Sequence, residues 1–193
     1  MIIGITGGTG SGKTTLLKLM ESAGVLILDC DAIYHDLLQR DTTLLAAIEN
    51  RFPGTVEAGQ LQLKKLGQIV FSDENARLDL NRITHSAIYA VILQCLKSQP
   101  VHAAIDAVAL FESGMDQLCD ITVAVTAPAE VRLQRLMARD GISAEYAQKR
   151  MDAQPTADWF RSKCNYVLEN HGTPEEFQAK CLAFLRDMGI MNR

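Results

Sequence analysis

The chain has 193 residues, a formal charge of −4, 48% hydrophobic and 22% charged residues. At roughly 150 residues per domain this is one core domain with room for insertions, and the apolar fraction excludes wholesale disorder. Net acidity excludes a sequence-independent nucleic-acid coat, which needs a basic face, but not a phosphate ligand held by local donors.

Met1 is followed at once by Ile2-Ile3-Gly4-Ile5-Thr6, expected to be a first strand rather than a secretory leader. Further strands are expected at Val25–Leu28, His102–Leu110, Ile121–Thr126 and Tyr166–Leu168. They are rich in Val, Ile and Ala without polar alternation, as in a parallel sheet covered by helices on both faces. Helical patterns lie between them: Lys13–Ala23, Ala32–Gln39, Leu44–Arg51, Lys64–Phe71, Glu74–Ser98, Ala129–Arg139, Ala144–Ala153 and Pro174–Met188. Ser143 and Thr173 read as N-caps, and Asp31 as a cap for Ala32–Gln39. The pattern is a single α/β domain.

Strands two and three are separated by about 70 residues, far more than a simple crossover needs. A helical insertion over 31–100 is therefore expected, with a second, mobile excursion over 137–158. The core would then be 1–30, 101–136 and 159–193. No apolar run approaches the roughly 20 residues of a membrane span, so no membrane partner is expected. Cys30, Cys95, Cys119, Cys164 and Cys181 are odd in number, widely spaced and form no Cys-x-x-Cys pair. They read as small buried hydrophobes with reduced thiols, which suits a cytoplasmic protein.

Gly7-Gly8-Thr9-Gly10-Ser11-Gly12-Lys13-Thr14 matches G-x-x-x-x-G-K-[ST] in full, after an apolar strand and at the start of an amphipathic helix. Glycines let backbone N–H groups approach phosphate oxygens without a Cβ clash, and the helix offers its positive dipole end. Gly8, Thr9, Gly10, Ser11, Gly12, Lys13, Thr14 and Thr15 are thus expected to bind the nucleotide. Lys13 supplies a point charge for the β- and γ-phosphates, and the Thr14 hydroxyl a ligand for Mg²⁺. His102-Ala103-Ala104-Ile105-Asp106 ends on an acid that could organise the same ion, although Asp106 could equally only turn the chain out of the sheet.

A GTP-driven switch needs Asn-Lys-x-Asp, yet no lysine here is followed two residues later by Asp. A transport or motor ATPase needs a longer chain and motifs such as Leu-Ser-Gly-Gly-Gln, which are absent. A small-molecule kinase needs a core, an acceptor-binding insertion and an arginine-bearing lid. Arg132, Arg135 and Arg139 fall on one helical face and suit a transferring phosphoryl group, or simply form a solvated basic face. Asp29 and Asp31 follow strand two, where the carboxyl ends of strands line the ligand crevice, and at least one is expected to handle an acceptor proton.

Gly-Gly-x-Gly-Ser-Gly-Lys followed by Asp29-Cys30-Asp31 resembles the dephospho-CoA kinase family, along nearly the whole chain. Further matches are Gly59-Gln60-Leu61, Leu66-Gly67-Gln68-Ile69-Val70-Phe71-Ser72-Asp73, Asn81-Arg82-Ile83-Thr84-His85, and Leu110-Phe111-Glu112. Gln134 to Gly141, Ala153-Gln154 and Asn170-His171-Gly172 resemble its lid and adenine loop. The resemblance implies a P-loop kinase: a three-layer α/β core with a parallel five-stranded sheet, a helical acceptor-binding insertion and a small lid. It implies ATP and Mg²⁺ as co-substrate and ion, and dephospho-CoA, phosphorylated on its 3′-hydroxyl, as the small-molecule partner. It assigns Asp31 as general base, Arg135 and Arg139 as lid arginines, and Asn170 and Gly172 to the nucleotide. Asp31, His85, Leu110, Phe111 and Glu112 would hold the acceptor, with a core role for His85 equally open. Ser86, Val108, Ala157 and Asn165 depart from the family pattern; at Ala157 the family often carries an arginine. A kinase for a nucleoside or another small alcohol, or a nucleotide sensor without transfer, are the competing readings.

Overall fold

The computed structural model describes residues 1–98 and 100–191. They form two compact units, one of residues 1–28 with 100–191 and one of residues 29–98. In the first, a five-stranded sheet has the order β2-β5-β1-β6-β7. Its strands are β1 (Ile2–Thr6), β2 (Leu26–Asp29), β5 (Ala103–Asp106), β6 (Ile121–Thr126) and β7 (Tyr166–Glu169). The β1–β5, β1–β6 and β6–β7 ladders are parallel, as runs of unalternated apolar residues require.

Strand β1 shows why its sequence reads as it does. Ile3 and Ile5 are fully buried against helices α1 (Lys13–Ser22) and α9 (Pro174–Asp187), in a cluster with Leu16, Met20, Val123, Val125 and Phe177. Between them Gly4 opens the other face: a Cβ there would stand 2.8 Å from Leu110 Cδ2. Helix α9 begins with a capping box between Thr173 and Glu176 and with Pro174, as its sequence predicts. Strand β5 is shorter than the expected His102–Leu110. Its partner β1 ends where the glycine loop peels away, the Ala107 N–H finds a last acceptor at Ile5 O, and residues after it turn on themselves.

Helices α6 (Ala129–Asp140) and α7 (Ala144–Asp152) follow β6, packed through Leu136, Ala147 and Met151. Ser143 caps α7 as expected, through the Tyr146 N–H. Helix α8 (Ala157–Lys163), capped by Thr156, is not foreseen by the sequence pattern: seven residues after a proline carry too little periodicity.

The second unit is built on α5 (Glu74–Leu96), which packs against α2 (Cys30–Arg40), α3 (Thr42–Arg51) and α4 (Leu63–Ser72). A hairpin of β3 (Val56–Glu57) and β4 (Gln60–Leu61), also unforeseen, turns through Ala58 and Gly59 at φ 49° and 75°. Two-residue strands leave no alternation to read. Asp29, not Asp31, caps α2: its Oδ1 accepts from the Asp31 and Ala32 N–H groups at 2.9 and 3.0 Å. The expected cap at Asp31 is corrected by two residues, because the helix starts at Cys30, whose side chain is buried.

Phe177 is 2% exposed and spans the face between β1 and α9. Phe177→Ala is expected to destabilise the protein by about 3–5 kcal/mol, measured by urea unfolding monitored by circular dichroism.

Candidate nucleotide site

The glycine loop leaves β1 at the centre of the sheet and ends where α1 begins. Gly7, Gly10 and Gly12 have φ of 131°, 77° and 106°, a region that L side chains rarely adopt. At Gly12 space is also closed: a Cβ would lie 2.4 Å from Asn170 Nδ2.

The loop's carbonyl oxygens are held one by one. Arg132 Nε donates to Thr9 O at 2.8 Å, and Arg135 Nη1 donates to Gly10 O and Ser11 O at 3.3 and 3.4 Å. Asn170 Nδ2 adds a 2.9 Å bond to Ser11 O, while Asn170 Oδ1 accepts from Arg135 Nη2 at 3.4 Å. A planar trans peptide points its C=O and its N–H in opposite directions. Holding Thr9 O and Ser11 O to the α6 side therefore turns the Gly10 and Gly12 N–H groups to the other. The Ser11 N–H closes a turn on Gly8 O at 3.1 Å. Two freed amides at the N-terminus of a helix make an anion-binding concavity.

Charge adds to it. Arg132 is 9% exposed, and its guanidinium bonds go to the oxygens of Thr9 and of the Gln154 amide rather than to a carboxylate. Burial holds its pKa below the ordinary arginine value. Lys13 Nζ donates to Gly7 O at 3.1 Å, folded back along the loop. The Thr14 side chain is exposed at the head of α1, and Asp106, in register with Ile5 of β1, is half-buried at the end of β5.

Arg139 sits elsewhere than Arg132 and Arg135. One turn further along α6, it is exposed and forks onto Asp140, with bonds of 2.6 and 3.0 Å. Arg150 of α7 joins the same carboxylate at 2.7 Å. These guanidiniums hold the Asp140 carboxyl down at about 2. The three arginines that share a helical stripe in sequence thus divide between the neutral oxygens of the loop and the Asp140 carboxylate.

The remaining residues divide as follows. Leu110 is fully buried over Gly4, a core position, whereas Phe111 reaches the surface and meets the Trp159 ring edge-on at 5.5 Å. Glu112 is exposed. Gly172 leaves room for the capping box, since a Cβ would lie 1.8 Å from Glu176 Oε2. Asp31 and His85 belong to the other unit, Asp31 exposed on the first turn of α2 and His85 half-buried on α5. Of the departures from the family pattern, Asn165 is accounted for: its Oδ1 accepts from the Thr122 N–H at 2.7 Å, a role its amide fills without a carboxylate. Arg161, four residues after Ala157, pairs with Asp158 and Glu169 at 2.8 and 2.9 Å. Trp159 had no signal in sequence, and Gln154 had none beyond the family resemblance.

The family model of dephospho-CoA kinase matches residues 1–176. A dephospho-CoA kinase of Syntrophotalea carbinolica is 36% identical over 194 residues, covering 96% of this chain and 90% of that one. Among solved structures, a Thermus thermophilus protein superposes with a TM-score of 0.82 at 32% identity, covering 97% of each chain. The dephospho-CoA kinase of Campylobacter jejuni superposes with a TM-score of 0.69 at 26% identity, covering 98% of each.

Two outcomes follow from the geometry. Gly12→Ala is expected to abolish measurable ATP binding by calorimetry while the circular dichroism spectrum is retained. The Asp140 carboxyl is expected to titrate near pH 2 by NMR and to move up toward the ordinary carboxylate value in Arg139→Ala. Because the folded pKa is the depressed one, the pair's contribution is present above the unfolded carboxylate pKa and fades as pH falls toward about 2.

Proposed function

The chain belongs to the dephospho-CoA kinase family, and from that premise we propose how its residues divide the work of the reaction. The enzyme is an ATP-dependent kinase that transfers the ATP γ-phosphoryl group to the 3′-hydroxyl of dephospho-CoA, giving CoA and ADP. The observation that carries the division is the loop whose carbonyls are held back by Arg132, Arg135 and Asn170, leaving amides for phosphate oxygens.

Gly8 to Thr15 wrap the phosphates, and Lys13 swings from Gly7 O to the β- and γ-phosphate oxygens, neutralising charge that spreads as the bond to the leaving group loosens. Thr14 and Asp106 are hard oxygen donors at the ends of neighbouring elements, a set that suits Mg²⁺, which takes few protein ligands beside phosphates and water. Bound there, the ion supplies charge neutralisation and a template for the phosphates. Asp31 accepts the proton of the 3′-hydroxyl as the new O–P bond forms and the bond from Pγ to the ADP oxygen breaks. Asp29 is spent on capping α2, which leaves Asp31 the freer acid. Arg135 stands beside Asn170 at the loop, and Arg139 joins the phosphoryl group by exchanging Asp140 for it. Asp31, His85, Phe111 and Glu112 bind the acceptor, and Leu110 is buried in the core over Gly4. Residues 137–158 act as the lid that excludes water, a competing acceptor.

Burial pushes Cys119 up to about 12 and Cys164 and Cys181 to about 11, so these three thiols are unreactive near neutrality, which fits a reducing cytosol. Among the described residues, no helix is long and apolar enough to cross a membrane.

ADP release with Mg-ATP is expected with dephospho-CoA and not with nucleosides or simple alcohols; a nucleoside preference, or ATP binding without any turnover, refutes the assignment. Asp31→Asn is expected to lower kcat by about a hundredfold or more with ATP affinity retained, the order for a lost general base. Asp29→Asn should mainly lower the melting temperature; the reverse ranking would move the proton to Asp29.

A further inference from the structure

Gln154 follows α7 and α8 begins three residues later, yet its side chain reaches the glycine loop at the other end of the sequence. Its Oε1 accepts from the Thr9 N–H at 2.8 Å and from Arg132 Nη2 at 3.2 Å. Arg132 Nε in turn donates to Thr9 O at 2.8 Å. Both backbone groups of Thr9 are consequently taken by side chains that are bonded to each other. The fit is close: a Cβ on Gly8 would stand 2.3 Å from Arg132 Nη2, and one on Gly10 2.9 Å from Arg132 O. Gly8 and Gly10 are small here so that Arg132 can lie against the loop.

We propose that Gln154 and Arg132 are positioning residues for ATP, forming a clasp that sets the Gly8-Thr9-Gly10 edge of the loop through the two peptide planes on either side of Thr9. With Thr9 O fixed by Arg132, the Gly10 N–H in the same peptide plane is aimed at the phosphate side. With the Thr9 N–H fixed by Gln154, the preceding plane cannot flip and undo that aim. Gln154 lies just after α7 and Arg132 on α6, so the clasp ties both to one edge of the loop. A lysine at 132 could not replace the fork, since one ammonium does not reach two acceptors in the same planar geometry. The inference rests on the reading of the loop as the ATP site.

The test uses the full chain. Gln154→Met keeps the volume and removes the acceptor; it is expected to raise KM for Mg-ATP about tenfold, with kcat and KM for dephospho-CoA within about threefold, as when binding common to ground and transition states is lost. In the nucleotide-free protein, Thr9 amide hydrogen exchange should accelerate about tenfold or more in the same variant. Arg132→Lys should raise KM for Mg-ATP in the same way, and the double variant should be no worse than the poorer single one. A change in KM for Mg-ATP below about threefold, tighter ATP use, an equal loss in KM for dephospho-CoA, unchanged Thr9 exchange, or additive losses would each overturn the clasp. If Gln154→Met does not fold, Arg132→Lys alone decides by the same limits. Wild-type protein that consumes no ATP would sink the kinase reading; variants indistinguishable from an active wild type would sink only the clasp.

Discussion

A peptide plane cannot show its N–H and its C=O to the same side, and an anion site made of backbone must spend its carbonyls elsewhere. In this protein the carbonyls of Thr9, Gly10 and Ser11 are spent on Arg132, Arg135 and Asn170. The amides left over are the ones we propose a phosphate meets. Glycines make that loop possible by tolerating left-handed φ, but they do not choose its shape; a flexible loop without those three donors would sample many. The donors convert permissiveness into one conformation before a nucleotide arrives, so less ordering is required on binding.

The sheet explains how three donors so far apart in sequence converge. Strand β6 lies beside β1, and β7 beside β6, both parallel to it. Their carboxyl ends therefore emerge on the side where β1 feeds the loop. Thr126 pairs with Glu169 in register, and the next residue, Asn170, donates its N–H to Thr126 O at 2.8 Å. Helix α6 starts three residues after β6 ends, which carries Arg132 and Arg135 over the loop on consecutive turns. Burial of β1, β6 and β7 among apolar side chains fixes this alignment, so packing in the core is converted into angles at the site.

Electrostatics works against the net charge. The chain is acidic overall, at −4, yet the groups around the loop are cations answered by carbonyl and amide oxygens. Cations whose bonds go to neutral oxygens keep their charge for a bound anion. Arg139 is the opposite case: Asp140 holds it as an ion pair, which its proposed role on a phosphoryl group requires it to exchange. In the other unit, the acid that caps α2 and the acid offered for chemistry are two residues apart, and the start of the helix decides which is which.

Much of this was legible in the chain itself. Five parallel strands, the glycine loop with Lys13 and Thr14, and the capped helices α7 and α9 follow from patterns within about ten residues, where local sterics and hydrogen bonds decide. The length of the stretch between β2 and β5 marked residues that fold outside the sheet. What could not be read locally was long-range pairing. That Leu110 is core because Gly4 lies opposite it, that Arg132 and Arg135 part from Arg139, and that Gln154 reaches Thr9 all depend on partners more than a hundred residues away or on competing neighbours. Sequence alone marked the candidates for phosphate chemistry, because backbone geometry and side-chain type suffice to single them out; tertiary structure decided which of them hold the loop and which are held by something else, because hydrogen-bond partners are assigned only when the strands are laid side by side.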